Sequence, residues 1–276
     1  MRTEVRFELA GGDDPLLLVP SHVNERGPYQ FIVDTGASVS LIAPQLARDL
    51  NLARTSMAGG MGAGGQLNVA LAYLDKLAVG EAALEKVQVA ISEELHRIGA
   101  AINARVDGNL GYDFLKNFRL KIDYARSTFT LARVQPFASD WVGASLDFKL
   151  AGPARPLILI PAFVNNRGPY QFALDTGASK TVLAPEVVRG LELQNPQPEE
   201  ITGVGGKIPS IRGEIALLQI GSHKRSNVTV VVTEMLTTLS QVVQARLDGI
   251  IGYTFLKAFN VTIDYPNAML RLAEAS

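Results

Sequence analysis

Asn24-Glu25-Arg26-Gly27-Pro28-Tyr29-Gln30-Phe31-Ile32-Val33-Asp34-Thr35-Gly36-Ala37-Ser38 returns later in the chain as Asn165-Asn166-Arg167-Gly168-Pro169-Tyr170-Gln171-Phe172-Ala173-Leu174-Asp175-Thr176-Gly177-Ala178-Ser179. Twelve of the fifteen positions are identical. The offset of 141 also aligns Pro44 with Pro185, Gly64 with Gly205, Gly80 with Gly221, Asp107 with Asp248, Tyr112 with Tyr253 and Asp123 with Asp264. One unit is written twice without an insertion. Solenoids need several short repeats to build a continuous core, whereas two long copies point to two lobes related by an approximate two-fold axis. The expected division is a first lobe over 1–135, a linker over 136–143 and a second lobe over 144–276.

Within each copy the pattern is mostly strand. Tyr29 to Val33 and Tyr170 to Leu174 are short aromatic and β-branched runs that stop at Asp-Thr-Gly, and Asn227 to Val232 alternates valine with polar residues. Short helices are expected over Pro44 to Leu50 and Pro185 to Leu191, where proline stands at a first helical position. Another is expected within Gly111 to Phe118 and its partner Gly252 to Phe259. Hairpins should follow, turning near Tyr124 to Ser127 and Tyr265 to Ala268. Ser92 to Arg105 and Thr233 to Arg246 read equally as helix or loop. The fold class expected is therefore mostly β, two similar lobes with short helices.

Composition narrows the function. The 276 residues are 47% hydrophobic and 19% charged, the balance of a globular chain able to bury two modest cores. Lysine and arginine number 26 against 27 acidic residues, so no global field is available to hold nucleic acid. The apolar runs Leu16 to Val19 and Leu157 to Ile160 are too short to span a bilayer. With no cysteine, disulfides, thiolate metal sites and a cysteine nucleophile are excluded. The compartment stays open. Met1 to Arg6 lacks the apolar centre of a signal peptide, and a periplasmic or secreted location is expected only if such a segment has been removed.

A carboxylate in a tight Asp-Thr-Gly turn after an apolar strand is held by backbone, and Gly36 or Gly177 permits a close approach. One copy alone would read as an ordinary turn. Two copies at symmetric positions let an axis bring Asp34 and Asp175 face to face. Two carboxylates at that range do not both ionise easily; they share a proton and titrate as a pair. One acts as base and the other as acid.

The remaining candidates are weaker. His22, His96 and His223 align with Phe163, Thr237 and Ala82, so no symmetric metal site or triad emerges. Ser38 and Ser179 have no histidine base placed beside them by the sequence. Asp107 and Asp248 precede glycine, and Asp123 and Asp264 precede tyrosine near a turn, so both pairs read as structural.

These residues resemble the retroviral-type and pepsin-like aspartic proteases, and most closely bacterial retropepsin-like proteins with two fused units. The resemblance covers nearly the whole chain. It includes the apolar-apolar-Gly signature late in each half, complete as Ile250-Ile251-Gly252 and altered as Asn109-Leu110-Gly111, where Asn109 departs from the pattern. It implies a bilobal acid-protease fold and an endopeptidase with Asp34 and Asp175 as catalytic carboxylates activating a water, without metal or cofactor. It also implies that Thr35 and Thr176 hydrogen-bond across the axis and, with Gly36 and Gly177, support the active-site loops. Gly62, Ala63, Gly64 and Gly65, with Gly203, Val204, Gly205 and Gly206, are implied to be flap tips that close on substrate. A phosphate loop is the other reading of such glycines, but neither segment ends in the lysine and hydroxyl residue of one. Ala37 and Ala178 stand where pepsins carry a hydroxyl that hydrogen-bonds the charged pair. Its loss should move the working pH toward mildly acidic. The expected partner is a peptide or protein substrate, and the expected state is a monomer. The alternative is a non-catalytic peptide-binding or scaffold protein of the same fold.

Overall fold

In the computed structural model, residues 1–62, 64–134, 145–151, 157–203 and 205–275 are described. The expected linker 136–143 lies outside them, as do Ala63 and Val204. The chain is mostly β, with two similar lobes.

The first half builds an eight-stranded sheet in the order Glu8–Ala10, Leu16–Val23, Arg26–Val33, Gly108–Leu110, Leu41–Ile42, Ala82–Ile91, Gly65–Val79, Ser56–Gly62. The second half repeats that order with Lys149–Ala151, Leu157–Val164, Arg167–Leu174, Gly249–Ile251, Thr181–Leu183, His223–Val232, Gly206–Ile220 and Gln194–Gly203. In both, the strand entering Asp-Thr-Gly runs parallel to the strand of the apolar-apolar-Gly signature, with Val33 opposite Leu110 and Leu174 opposite Ile251.

A third sheet, of six strands, joins the halves: Arg2–Arg6, Thr128–Ala132, Arg119–Asp123, Phe259–Asp264, Met269–Glu274, Leu146–Asp147. Its two central strands pair antiparallel with Lys121 opposite Thr262, which is the same position in the other copy. Arg119 opposite Asp264 and Asp123 opposite Asn260 complete a self-complementary register, the pattern a two-fold axis imposes on an isologous contact. The axis therefore passes between these strands. Leu120, Ile122, Val261 and Ile263 on them are fully buried, and one apolar core runs through both halves, with Phe31, Phe114, Phe118 and Phe129 on one side and Phe172, Phe255 and Phe259 on the other.

The segments that read as helix or loop are helical over Glu94–Ala101 and Met235–Val243. Neither has a side-chain cap at its own N-cap; instead Ser92 Oγ accepts from Glu94 N, and Thr233 Oγ1 from Met235 N, both at 3.3 Å. Leu95 packs on Leu16, Leu18 and Val106 in a smaller core of the first half. The helices after the motifs are shorter than expected. The first covers Pro44–Asp49, and the second stops at Val188 because Arg189 turns to extended backbone and Gly190 takes a φ of +72°. Those within Gly111 to Phe118 and Gly252 to Phe259 are single turns, Tyr112–Leu115 and Tyr253–Leu256. Among the described residues no helix is long and apolar enough to cross a membrane.

Candidate active site

Each aspartate sits one residue beyond a central strand. Asp34 N donates to Leu110 O at 3.1 Å and Asp175 N to Ile251 O at 3.0 Å, which anchors both loops to the neighbouring signature strand. Each loop then closes on itself. Gly36 N donates to Asp34 Oδ1 (3.0 Å) and Gly177 N to Asp175 Oδ1 (2.8 Å), so each carboxylate has its orientation set by its own turn.

The two threonines lie between the loops, buried. Thr35 Oγ1 donates to Leu174 O (2.9 Å) and accepts from Thr176 N (3.0 Å); Thr176 Oγ1 donates to Val33 O (2.7 Å) and accepts from Thr35 N (3.2 Å). Every donor and acceptor in this ring of four bonds belongs to the opposite half from its partner. The glycines explain how close the loops come. A Cβ on Gly36 would meet Asp175 Oδ2 at 2.4 Å, and one on Gly177 would meet Asp34 Cγ at 2.7 Å, distances no side chain tolerates.

The structure thus brings together Asp34, Asp175, Thr35, Thr176, Gly36 and Gly177. The two carboxyl groups lie side by side, each against the glycine of the opposite loop, and are partly buried. Burial is the largest influence on both and raises both above the ordinary carboxylate value. For Asp175 the negative charge of Asp34 adds to burial, and its pKa is pushed up to about 7. For Asp34 the rise is opposed first by Asn109, then by the Gly36 and Ala37 N–H groups and by Asp175 itself. Asn109 Nδ2 donates to Asp34 Oδ2 at 3.0 Å.

The glycine-rich segments are the tips of two long hairpins, Ser56–Gly62 with Gly65–Val79 and Gln194–Gly203 with Gly206–Ile220, in which Gly62 pairs with Gly65 and Gly203 with Gly206. The tips meet. A Cβ on Gly64 would fall 2.4 Å from Gly206 N, and one on Gly205 would fall 2.6 Å from Gly65 N. The second tip is also tied down, since Gly205 N donates to Glu94 Oε2 (3.2 Å) on the helix of the first half.

The secondary candidates are dispersed. His96 lies 3.5 Å from Glu93, His223 packs edge-on against Phe259, and His22 stands across from Ala78. Asp107 accepts from Gln30 N (2.9 Å) and Arg105 Nε (2.7 Å), and Asp248 from Gln171 N (2.7 Å) and Arg246 Nε (2.8 Å), so both lock a strand to a turn. Asp123 and Asp264 accept from the N–H groups of Arg126 and Asn267 at the hairpin turns.

Two groups beside the site escape sequence reasoning. One is the Asn109 amide, visible in the sequence only as a departure from a pattern. The other is Lys180, next to Ser179, which is 8% exposed and pairs with Glu199 on the second hairpin and with Asp14 of the first half (3.0 Å). The signal for both was the same: positions where the copies disagree, Asn109 against Ile250 and Lys180 against Val39.

A duplicated β unit that delivers one aspartate from each copy to a common pair is the architecture of an acid protease. The aspartyl protease family model matches residues 19–114 and again 160–255, so the chain belongs to that family, as two tandem retropepsin-like units. No curated protein matches the chain.

Proposed function

We propose that the protein is an aspartic endopeptidase with Asp34 and Asp175 as its catalytic carboxylates. The observation that carries this reading is the close approach of the two carboxyls at the crossing of the loops, each raised above its ordinary pKa. A pair with one proton between them offers a base and an acid to the same molecule. The ionised member takes a proton from a water seated between them while the water oxygen attacks the peptide carbonyl carbon, and the protonated member gives its proton to the carbonyl oxygen. The threonine ring and the paired glycines support the reading because they hold the two groups in place before substrate arrives. In this reading the two hairpins are flaps. A peptide must part tips that touch in the free chain and is then enclosed by them, which excludes bulk water.

Because the Asp175 pKa is pushed up to about 7, the pair keeps a proton up to near-neutral pH. The test is incubation with a mixed peptide library across roughly pH 3 to 7, reading cleavage by mass spectrometry. Asp34→Asn and Asp175→Asn should each lower kcat by about a thousandfold or more, the scale of losing an essential acid or base. Folded wild-type protein that cleaves nothing at any pH, or Asn variants as active as wild type, would overturn the proposal.

A further inference from the structure

Each carboxylate receives the same two backbone donors from its own loop, Gly36 and Ala37 for Asp34 and Gly177 and Ala178 for Asp175; the Gly36 N–H also reaches Asp175, and the side-chain neighbours differ. Asn109 is 2% exposed, and Leu41 N donates to its Oδ1 at 2.6 Å. That bond fixes the amide, since a backbone N–H must meet the oxygen, and leaves Nδ2 as the edge that faces Asp34 Oδ2. A donor that cannot turn into an acceptor favours the ionised form of the group it touches. Ile250, the equivalent residue of the second half, has no donor in its side chain.

We propose that Asn109 is a positioning residue that holds the single negative charge of the pair on Asp34, so that Asp34 is the base toward water and Asp175 the acid toward the carbonyl. This rests on the proteolytic reading of the site. The proton inventory closes as follows: Asp34 takes a proton from water as the new C–O bond forms, and Asp175 protonates the carbonyl oxygen. Asp34 then delivers its proton to the departing nitrogen as the C–N bond breaks. Asp175 recovers one from a hydroxyl of the tetrahedral carbon. A two-fold symmetric pair has no means of choosing which aspartate meets the carbonyl oxygen; the amide makes that choice and with it sets the direction in which a peptide lies across the site.

Other titratable groups near the loops do not supply this asymmetry at Asp34. Asp113 is raised by burial but is engaged by Ser40 N and Oγ, and Lys180 is closed by Glu199 and Asp14. Glu94 is held by Gly205 N and Arg97 at the hairpin tip. The Tyr265 phenol is raised by burial, then by Tyr112 and by both aspartates, and stays neutral where the pair titrates.

The experiment is carbon-detected NMR titration of protein labelled at the aspartate carboxyls, with resonances assigned from Asp34→Asn and Asp175→Asn. As pH falls, the first proton should bind Asp175 and the second Asp34. In Asn109→Ile the second step should rise by about one pH unit, a tenfold gain in proton affinity, and the acidic limb of kcat/KM should rise with it. Ile250→Asn should narrow the gap between the two steps. A first proton that settles on Asp34 in the wild-type protein overturns the proposal, and so does a folded Asn109→Ile whose second step is unmoved. The wild-type titration decides even if that variant fails to fold. If the titration is as expected and no peptide is cleaved, the charge assignment stands and the proteolytic reading falls.

Discussion

The two halves agree in backbone and disagree in side chains at a few positions around the aspartates. Both loops hang from the same strand, close with the same glycine bond and cross with the same threonine bonds. Yet Asn109 opposes Ile250, Lys180 opposes Val39, and Glu94 opposes Met235. Lys180 ties the second loop to the second hairpin, and Glu94 ties that hairpin's tip to the first half; Val39, at the place of Lys180 in the first half, is 39% exposed and apolar. The equivalent halves thus divide the labour: both hairpins are held by strand pairing and tip contact, and the second is held by charged side chains as well.

The largest expected effect tests the part of the comparison that is symmetric. Thr35→Val and Thr176→Val each remove a hydroxyl that bonds one carbonyl and one N–H of the opposite half, leaving both buried and unpaired. Each variant should lose about 2–4 kcal/mol of unfolding free energy, read by urea denaturation. The two losses should agree to within about 1 kcal/mol if the ring is as symmetric in energy as in geometry. A loss confined to one variant would show that one threonine alone holds the loops.

Much of this was legible in the sequence because the repeat supplies its own alignment. With the offset in hand, the pairing of Asp34 with Asp175 follows from a two-fold axis, whereas the crossed bonds of Thr35 and Thr176 and the glycine-rich hairpin tips are what the family resemblance implies. What escaped has a common physical cause. Lys180 meets Glu199 and Asp14, and Glu94 meets Gly205, through contacts between segments far apart in the chain and without a symmetric counterpart. The helix Glu94–Ala101 is ambiguous in the sequence because its capping hydroxyl, Ser92, stands one residue ahead of the N-cap and Gly99 weakens its period. The helix after the second motif ends before Leu191, which fits a helical spacing, because Gly190 takes a left-handed conformation.

The next effect concerns the aspartates as a pair. Burial and then the Asp34 charge raise Asp175 to about 7 from an ordinary value of 3.8. An acid raised on folding binds its proton more tightly in the folded state. Its contribution is therefore fully present below about pH 4 and is lost as pH rises through about 7. Wild-type stability should fall across that window. Asp175→Asn, which carries no titrating proton there, should match wild type near pH 4 and exceed it by about 1–3 kcal/mol at pH 8, by thermal melting or denaturant titration. A wild-type protein that gains stability over Asp175→Asn as pH rises would reverse the sign and remove the electrostatic coupling of the halves at this point.

The smallest effect separates the two hairpins. Lys180→Met leaves the side chain's volume but takes the cation from Glu199, one of whose carboxylate oxygens, Oε2, has no hydrogen-bond partner and is buried. Because Asp14 is nearly half exposed and Glu199 about one-fifth exposed, water and protonation recover part of what is lost. The expected cost is about 1–2 kcal/mol, well below that of breaking a fully enclosed pair. Its local mark should be clearer than its global one: amide exchange should accelerate along Gln194–Gly203, which carries Glu199, and stay unchanged along Ser56–Gly62. The reciprocal change, Val39→Lys, places a cation where the first hairpin offers Ala58 in place of Glu199, and should alter stability by no more than about 0.5 kcal/mol. Equal acceleration in both hairpins after Lys180→Met would mean that they open as one lid through their touching tips, and that the charge asymmetry between the halves does not make their motions independent.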